Sequence, residues 1–569
     1  MAVGQPTGES ASGASVETKP LAQEETESPA KSSEASETAG VEDAIPAPVK
    51  ALGVPAMMEF PGGISMAVTT SSPLAQEHVL QGLNFMLGGW EFEASRHFAA
   101  AMREDPECLL AHWGMIMTML APTPETGPAR NVATDRMLDL VDQGKGTELE
   151  RGYAYGIIQY VKEGPAGAAI AFRKVSTKFP NEMMAAIFTA LFDRSGYDVL
   201  GNATPSQEIA EKNLLALIQK FPDSTVPLYA LLTIRAEAND LSASLPLARN
   251  LCRMMPNYPP YFHLLGHYEW RCGNHGEAVA AFGKASTFSE TWMKQNKATL
   301  ADCPEWVKAE GYRAICLASK GDFDTAYAVA RQLAALELPA ERPASPGTRI
   351  LLWDAKTLPA RLRLQRGSSG DAAEALTSLP KPKDLVPYHK TSLAYWWIDG
   401  LRLALETRRL IDAGDLEEAK AVSAAMSQHG ESMVKTQSAA SASGERSELN
   451  RSFRALEVLA SDMRGRIAMA GPKAGIGSAY NWFSSAAERQ RPTPAMFPPL
   501  ILTPMEIRVG DYFLKVKRPA DAIEAYQRAL VDFPNNMEAL VALKAAYQES
   551  KKSVEAAEIE QRIEQLRGH

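Results

Sequence analysis

Residues 522–534 read AIEAYQRALVDFP, and residues 94–106 read ASRHFAAAMREDP. Both place alanine, an aromatic, alanine and proline at relative offsets 0, 4, 7 and 12: Ala522, Tyr526, Ala529 and Pro534 in one, Ala94, Phe98, Ala101 and Pro106 in the other. Each residue type has a mechanical reason. Small side chains two turns apart on one face let a second helix approach closely, and the aromatic fills the space towards a neighbouring pair. Proline lacks an N–H and stops the helix.

The unit recurs in the middle of the chain, where LGHYEWRCGNHGEAVAAFGKA (265–285) supplies Gly266, Gly273, Ala278, Phe282 and Ala285. Ala210 with Pro222 and Ser244 with Pro256 mark two further copies, so that positions 210, 244 and 278 follow one another in steps of 34. Looser copies stand at Ala168/Phe172/Pro180, Ala326, Ala375 and Ala419. A fixed period of this length marks an array of supersecondary units, each burying its apolar face on the next.

These residues resemble the tetratricopeptide repeat, a 34-residue helix–turn–helix. The resemblance narrows to a group of bacterial tetratricopeptide-repeat proteins on three elements. They are LLAHWGM (109–115), HLLGHYEWRCG (263–273) and TPMEIRVGDYFLKVKRPADA (503–522), the last carrying Pro504, Gly510 and Asp511 at the spacing of that group's P-x-x-E-x-x-G-D, with Glu506 one position earlier than the pattern's glutamate. The central element departs from that group's His-Met-Pro-Ser-His, because Leu264-Leu265-Gly266 replaces Met-Pro-Ser. The resemblance implies an all-α fold, a right-handed superhelix of antiparallel helix pairs whose concave face binds a protein or peptide without catalysis.

Composition sets the remaining bounds. Nine acidic side chains against Lys19, Lys31 and Lys50 give the first fifty residues −6 of the net −9. The rest is nearly neutral, offers no basic field for phosphate backbones, and makes nucleic acid a poor expectation. Residues 1–72, rich in Ala, Ser, Glu and Pro, are expected as a disordered tail. Residues 73–470 are expected as the helical array, 471–503 as a Pro/Gly-rich insertion, and 504–569 as the terminal repeat and capping helix. The Ser/Ala-rich stretch 436–448 and residues 471–499 are expected to break the helical pattern. No run of apolar residues reaches membrane-spanning length, so no membrane insertion is expected. Five sparse cysteines (Cys108, Cys252, Cys272, Cys303, Cys316) suit a reducing compartment. That predicts a cytoplasmic protein, with a periplasmic or envelope location as the alternative.

Chemistry concentrates on one stripe. His263, His267 and Arg271 are spaced by four and share a helical face. In the repeat framework that face is concave, and Tyr229, Thr233 and Glu237 take the equivalent places one repeat earlier, Asp511 and Lys515 in the terminal repeat. The stripe is open to three readings: hydrogen bonds holding neighbouring repeats, a clamp for a carboxylate or phosphate, or a metal site on His263 and His267. Cofactors are not expected. Serine-hydrolase, phosphate-loop, dinucleotide and HExxH signatures are missing from the sequence, so no catalytic residue is assigned.

Overall fold

In a computed structural model, residues 40–198, 201–433, 435–436, 444–490 and 495–568 are described. They are all-α, with one isolated bridge between Tyr197 and Ala203 and no strand among the described residues. The chain forms two compact units. One runs up to Glu59 and from Gly63 to Arg194; the other takes in Phe60–Gly62 and everything from Ser195 onward.

Successive helices pack as pairs. In the first unit Pro73–Leu87 lies against Glu91–Glu104, and the segment Glu148–Lys178, two helical stretches broken at Gly164 (φ 70°), lies against Met183–Asp193. In the second, Pro259–Arg271 pairs with His275–Asn296, Arg446–Ala470 with Gly477–Arg489, and Glu506–Lys515 with Pro519–Asp532. Short connections make such neighbours antiparallel. Many begin on proline at the first turn, where its missing N–H is harmless, as at Pro73, Pro259, Pro304 and Pro519.

The small-and-aromatic pattern seen in the sequence is the packing device. Alanines 94, 278 and 522 are fully buried, as are Phe98, Phe282 and Tyr526. Each of these rings lies so close to a glycine sixteen residues earlier that a Cβ there would overlap it: Gly82 against Phe98, Gly266 against Phe282, Gly510 against Tyr526. Gly156 and Phe172 repeat the arrangement. Gly114 presses on Phe98 from the next helix.

The second unit also closes on itself. The Asn535 side-chain amide donates to the Gly273 carbonyl at 3.0 Å, and a Cβ on Gly273 would stand 2.6 Å from the Pro534 carbonyl oxygen. Gly321, one pair further on, faces Met537. Two repeat anchors distant in sequence, Gly273 and Pro534, therefore meet.

Two expectations change. Residues 40–72 are not a loose tail: Val41, Ala44, Ile45, Val49, Ile64 and Val68 are buried, since sparse apolar residues suffice when a preformed helical face receives them. Residues 1–39 lie outside the described residues. The insertion 471–503 contains the helix Gly477–Arg489, whose Phe483 packs on Gly465. Its glycines and prolines flank that helix instead of interrupting it. Within 436–448, residues 437–443 fall outside the description, and a helix is under way from Arg446.

Candidate functional site

The Pro259–Arg271 helix is positioned by Gly266, which brings its backbone onto Phe282. Its polar stripe points at carbonyl groups. His263 Nε2–H donates to Ala495 O at 2.8 Å and His267 Nε2–H to Ala236 O at 2.9 Å, the carbonyls fixing each ring nitrogen as donor. Arg271 donates to the carbonyls of Ala236, Ala238 and Asn239 at 3.3, 2.8 and 3.3 Å. The Thr225–Arg235 helix ends just before these carbonyls, so a guanidinium there satisfies groups that the helix leaves bare and complements its dipole.

Burial holds the His263 imidazole down to about 4 and the His267 imidazole to about 3, with the Arg271 charge adding to the second. Both rings are neutral at physiological pH. Rings close around them: His263 meets Phe282 and Tyr312 edge-on at 5.2 and 5.4 Å, and His267 meets Tyr312 at 6.0 Å.

The other sequence candidates are placed differently. Tyr229 is half-buried with its ring 5.3 Å from Tyr261. Glu237 is exposed and lies in the turn beyond the Thr225–Arg235 helix, not on it. Asp511 accepts from the Tyr526 hydroxyl at 2.9 Å and from Arg508 at 3.2 Å. Lys515 is exposed. Among the described residues no group of three or more His, Cys, Asp or Glu is arranged to hold a metal, and no cysteine is disulfide-bonded.

Ala495 belongs to a non-helical strap, residues 495–505, made of turns and bends, that leads into the Glu506–Lys515 helix of the second unit. Four helices donate to its carbonyls. After His263 on Ala495 come Tyr312 Oη on Phe497 O at 2.7 Å, Arg451 on Pro498 O at 2.6 Å, and Arg361 on Pro499 O. The Phe497 ring is approached by the Arg451 guanidinium at 4.8 Å and by the Lys308 ammonium at 5.5 Å. Asp354 pairs with Arg451 at 2.7 Å and lies 3.7 Å from Arg361. Sequence reasoning picked His263 but missed Tyr312, Arg361 and Arg451. The available signal was Pro498-Pro499, a dipeptide with two carbonyls and no N–H, which needs donors from elsewhere.

The first unit holds an extended segment in a similar way. Gln81 exchanges two hydrogen bonds with the backbone of Met58 (3.2 and 2.7 Å), and Asn84 two with that of Ile64 (2.7 and 3.3 Å). The buried Glu150 carboxylate accepts from the Thr69 N–H and hydroxyl at 2.8 and 2.6 Å.

Comparison with known proteins adds breadth without resolution. No family model matches the chain. No curated protein matches it either. Solved structures that align with it include a monomeric mutant of IFIT1 with Gppp-AAAA, at 13% identity over 88% of this chain and 92% of that one, with a TM-score of 0.30. Yeast Tom70 aligns at 11% identity over 84% and 89%, TM-score 0.26. The Cut9 and Hcn1 hetero-tetramer of APC/C aligns at 12% identity over 83% and 90%, TM-score 0.25. Similarity at these values carries no argument about function, and the all-α assignment rests on the chain's own helix pairs.

Proposed function

We propose that this chain is a non-catalytic protein-binding scaffold built from tetratricopeptide-like helix pairs, in which helical faces hold extended polypeptide through its backbone. The observation that carries this reading is the strap: donors from four helices converge on four carbonyls of one non-helical segment. A face that reads main chain in this way suits polypeptide. The alternative, a metal or small-ligand centre on His263 and His267, is not favoured, because the Nε2 of each ring is committed to a carbonyl. The proposed compartment is the cytoplasm; among the described residues no helix is long and apolar enough to cross a membrane.

A photo-cross-linking side chain at the exposed positions Glu237 and Lys515 tests the reading in cells of the native organism. The expected product is a covalent adduct with a polypeptide, found by mass spectrometry. A stoichiometric metal or small molecule in the purified chain, lost in both His263→Ala and His267→Ala, would overturn it.

A further inference from the structure

A cavity of about 20 Å³ inside the second unit has room for one particle of about water's size, and three guanidinium groups line it, those of Arg361, Arg466 and Arg508. We propose that this cavity is a binding site for a single chloride ion, which joins three helices beside the end of the strap.

The donors set the sign of the ligand. Arg466 commits only its Nε–H, to the Asp462 carboxylate at 3.0 Å, and its Nη1 and Nη2 have no hydrogen-bond partner among the described residues. The Nε atoms of Arg361 and Arg508 are likewise buried without a partner, on residues 3% and 8% exposed. A guanidinium donates five N–H groups and accepts nothing. The one carboxylate on the wall, that of Asp462, already faces the Arg466 Nε–H with both oxygens. A water molecule would need acceptors for its own two hydrogens, whereas an anion needs donors only.

Charge points the same way. Arg361 has Asp354 at 3.7 Å, and Arg508 has Asp511 and Glu538 at 3.2 and 3.1 Å. Arg466 has Asp462 alone. Burial brings the Arg466 guanidinium down to about 10 despite that carboxylate, and the charges of Arg508 and Arg408 add to the fall. A negative charge beside it relieves both effects. Leu364, Leu401, Leu459 and Leu500 make much of the remaining wall apolar, so the attraction is little screened. Size selects among anions: sulfate, phosphate and carboxylates exceed the cavity, and a monatomic halide is close to water in size. The three guanidinium groups come from Leu358–Arg366, Arg446–Ala470 and Glu506–Lys515, so one ion ties these helices together.

Thermal unfolding of the full chain tests this, with sodium gluconate exchanged stepwise for sodium chloride at constant ionic strength. The expected result is a saturable rise in melting temperature of roughly 2–4 °C, reproduced by bromide. Arg466→Met keeps an unbranched apolar stem, removes the guanidinium, and is expected to abolish the rise. A wild-type melting temperature indifferent to the exchange, or a rise that survives in the folded variant, would overturn the proposal. Crystals of the wild type grown in bromide cover the case of a variant that does not fold. An anomalous peak within hydrogen-bond reach of Arg466 Nη1 or Nη2 is expected there; a water molecule at that place with no anomalous signal would sink the chloride assignment.

Discussion

Gly266 and Gly283 lie on paired helices and are expected to respond oppositely to the same change. A methyl group at Gly266 would sit 2.8 Å from the Phe282 ring, whereas at Gly283 nothing lies within 4 Å. Gly266→Ala should therefore cost about 1–3 kcal/mol through overpacking, and Gly283→Ala should gain about 0.4–1 kcal/mol by lowering the entropy of the unfolded chain. Urea denaturation of both variants checks the pair. His267 gives a second test at this scale. Its folded pKa lies far below the ordinary imidazole value of 6.5, as does that of His263. The unfolded chain thus takes up protons first, so stability is intact above pH 6.5 and is lost as pH falls towards 4 and then 3. His267→Gln keeps an N–H near Ala236 O and removes the titration, so its unfolding free energy should change less steeply over that window.

The wedge-forming aromatics were legible in the sequence because both partners in each contact belong to one repeat. Glu445 was not, although it ties several helices together. It stands at the start of the Arg446–Ala470 helix, 1% exposed, and its carboxylate accepts from Trp353 Nε1 at 2.8 Å, Ser392 Oγ at 2.7 Å and the Leu393 N–H at 2.7 Å. Local composition there reads as a Ser/Ala-rich break, and the donors that order it lie 52 to 92 residues earlier. Removing the carboxylate would strand them. Glu445→Ala is expected to destabilise the protein by roughly 3–5 kcal/mol, with Glu445→Gln intermediate, as read by thermal unfolding. The stripe on Pro259–Arg271 shows the same limit: the spacing of His263, His267 and Arg271 placed them on one face, but only the fold revealed that backbone carbonyls face them.

Across the second unit, contacts distant in sequence decide the architecture. Gly273 adopts φ 78°, a conformation that suits glycine, while the Pro534 carbonyl stands where its Cβ would be. Gly273→Ala meets both penalties, together about 2–4 kcal/mol. It is expected to raise hydrogen exchange across Met537–Glu549 while leaving the first unit's Pro73–Leu87 unchanged. Deleting residues 225–258 should likewise lower the melting temperature beyond the loss of those helices, because His267 and Arg271 would lose the carbonyls they hold.

The bond from Asn535 to Gly273 spans 262 positions of the chain. At ordinary synthesis rates of about 5–20 residues per second, one side of this seam leaves the ribosome roughly 15–50 s before the other. During that interval the nascent chain holds a finished helix pair with a bare edge and an interior that still lacks residues 495–505. Ribosome-stalled chains ending near residue 490 should accordingly be cut by protease within 259–320, a region the full-length protein shields, and should recruit chaperones that bind exposed apolar surface. A C-terminal truncation of this protein is therefore an arrested folding intermediate and not a shorter scaffold.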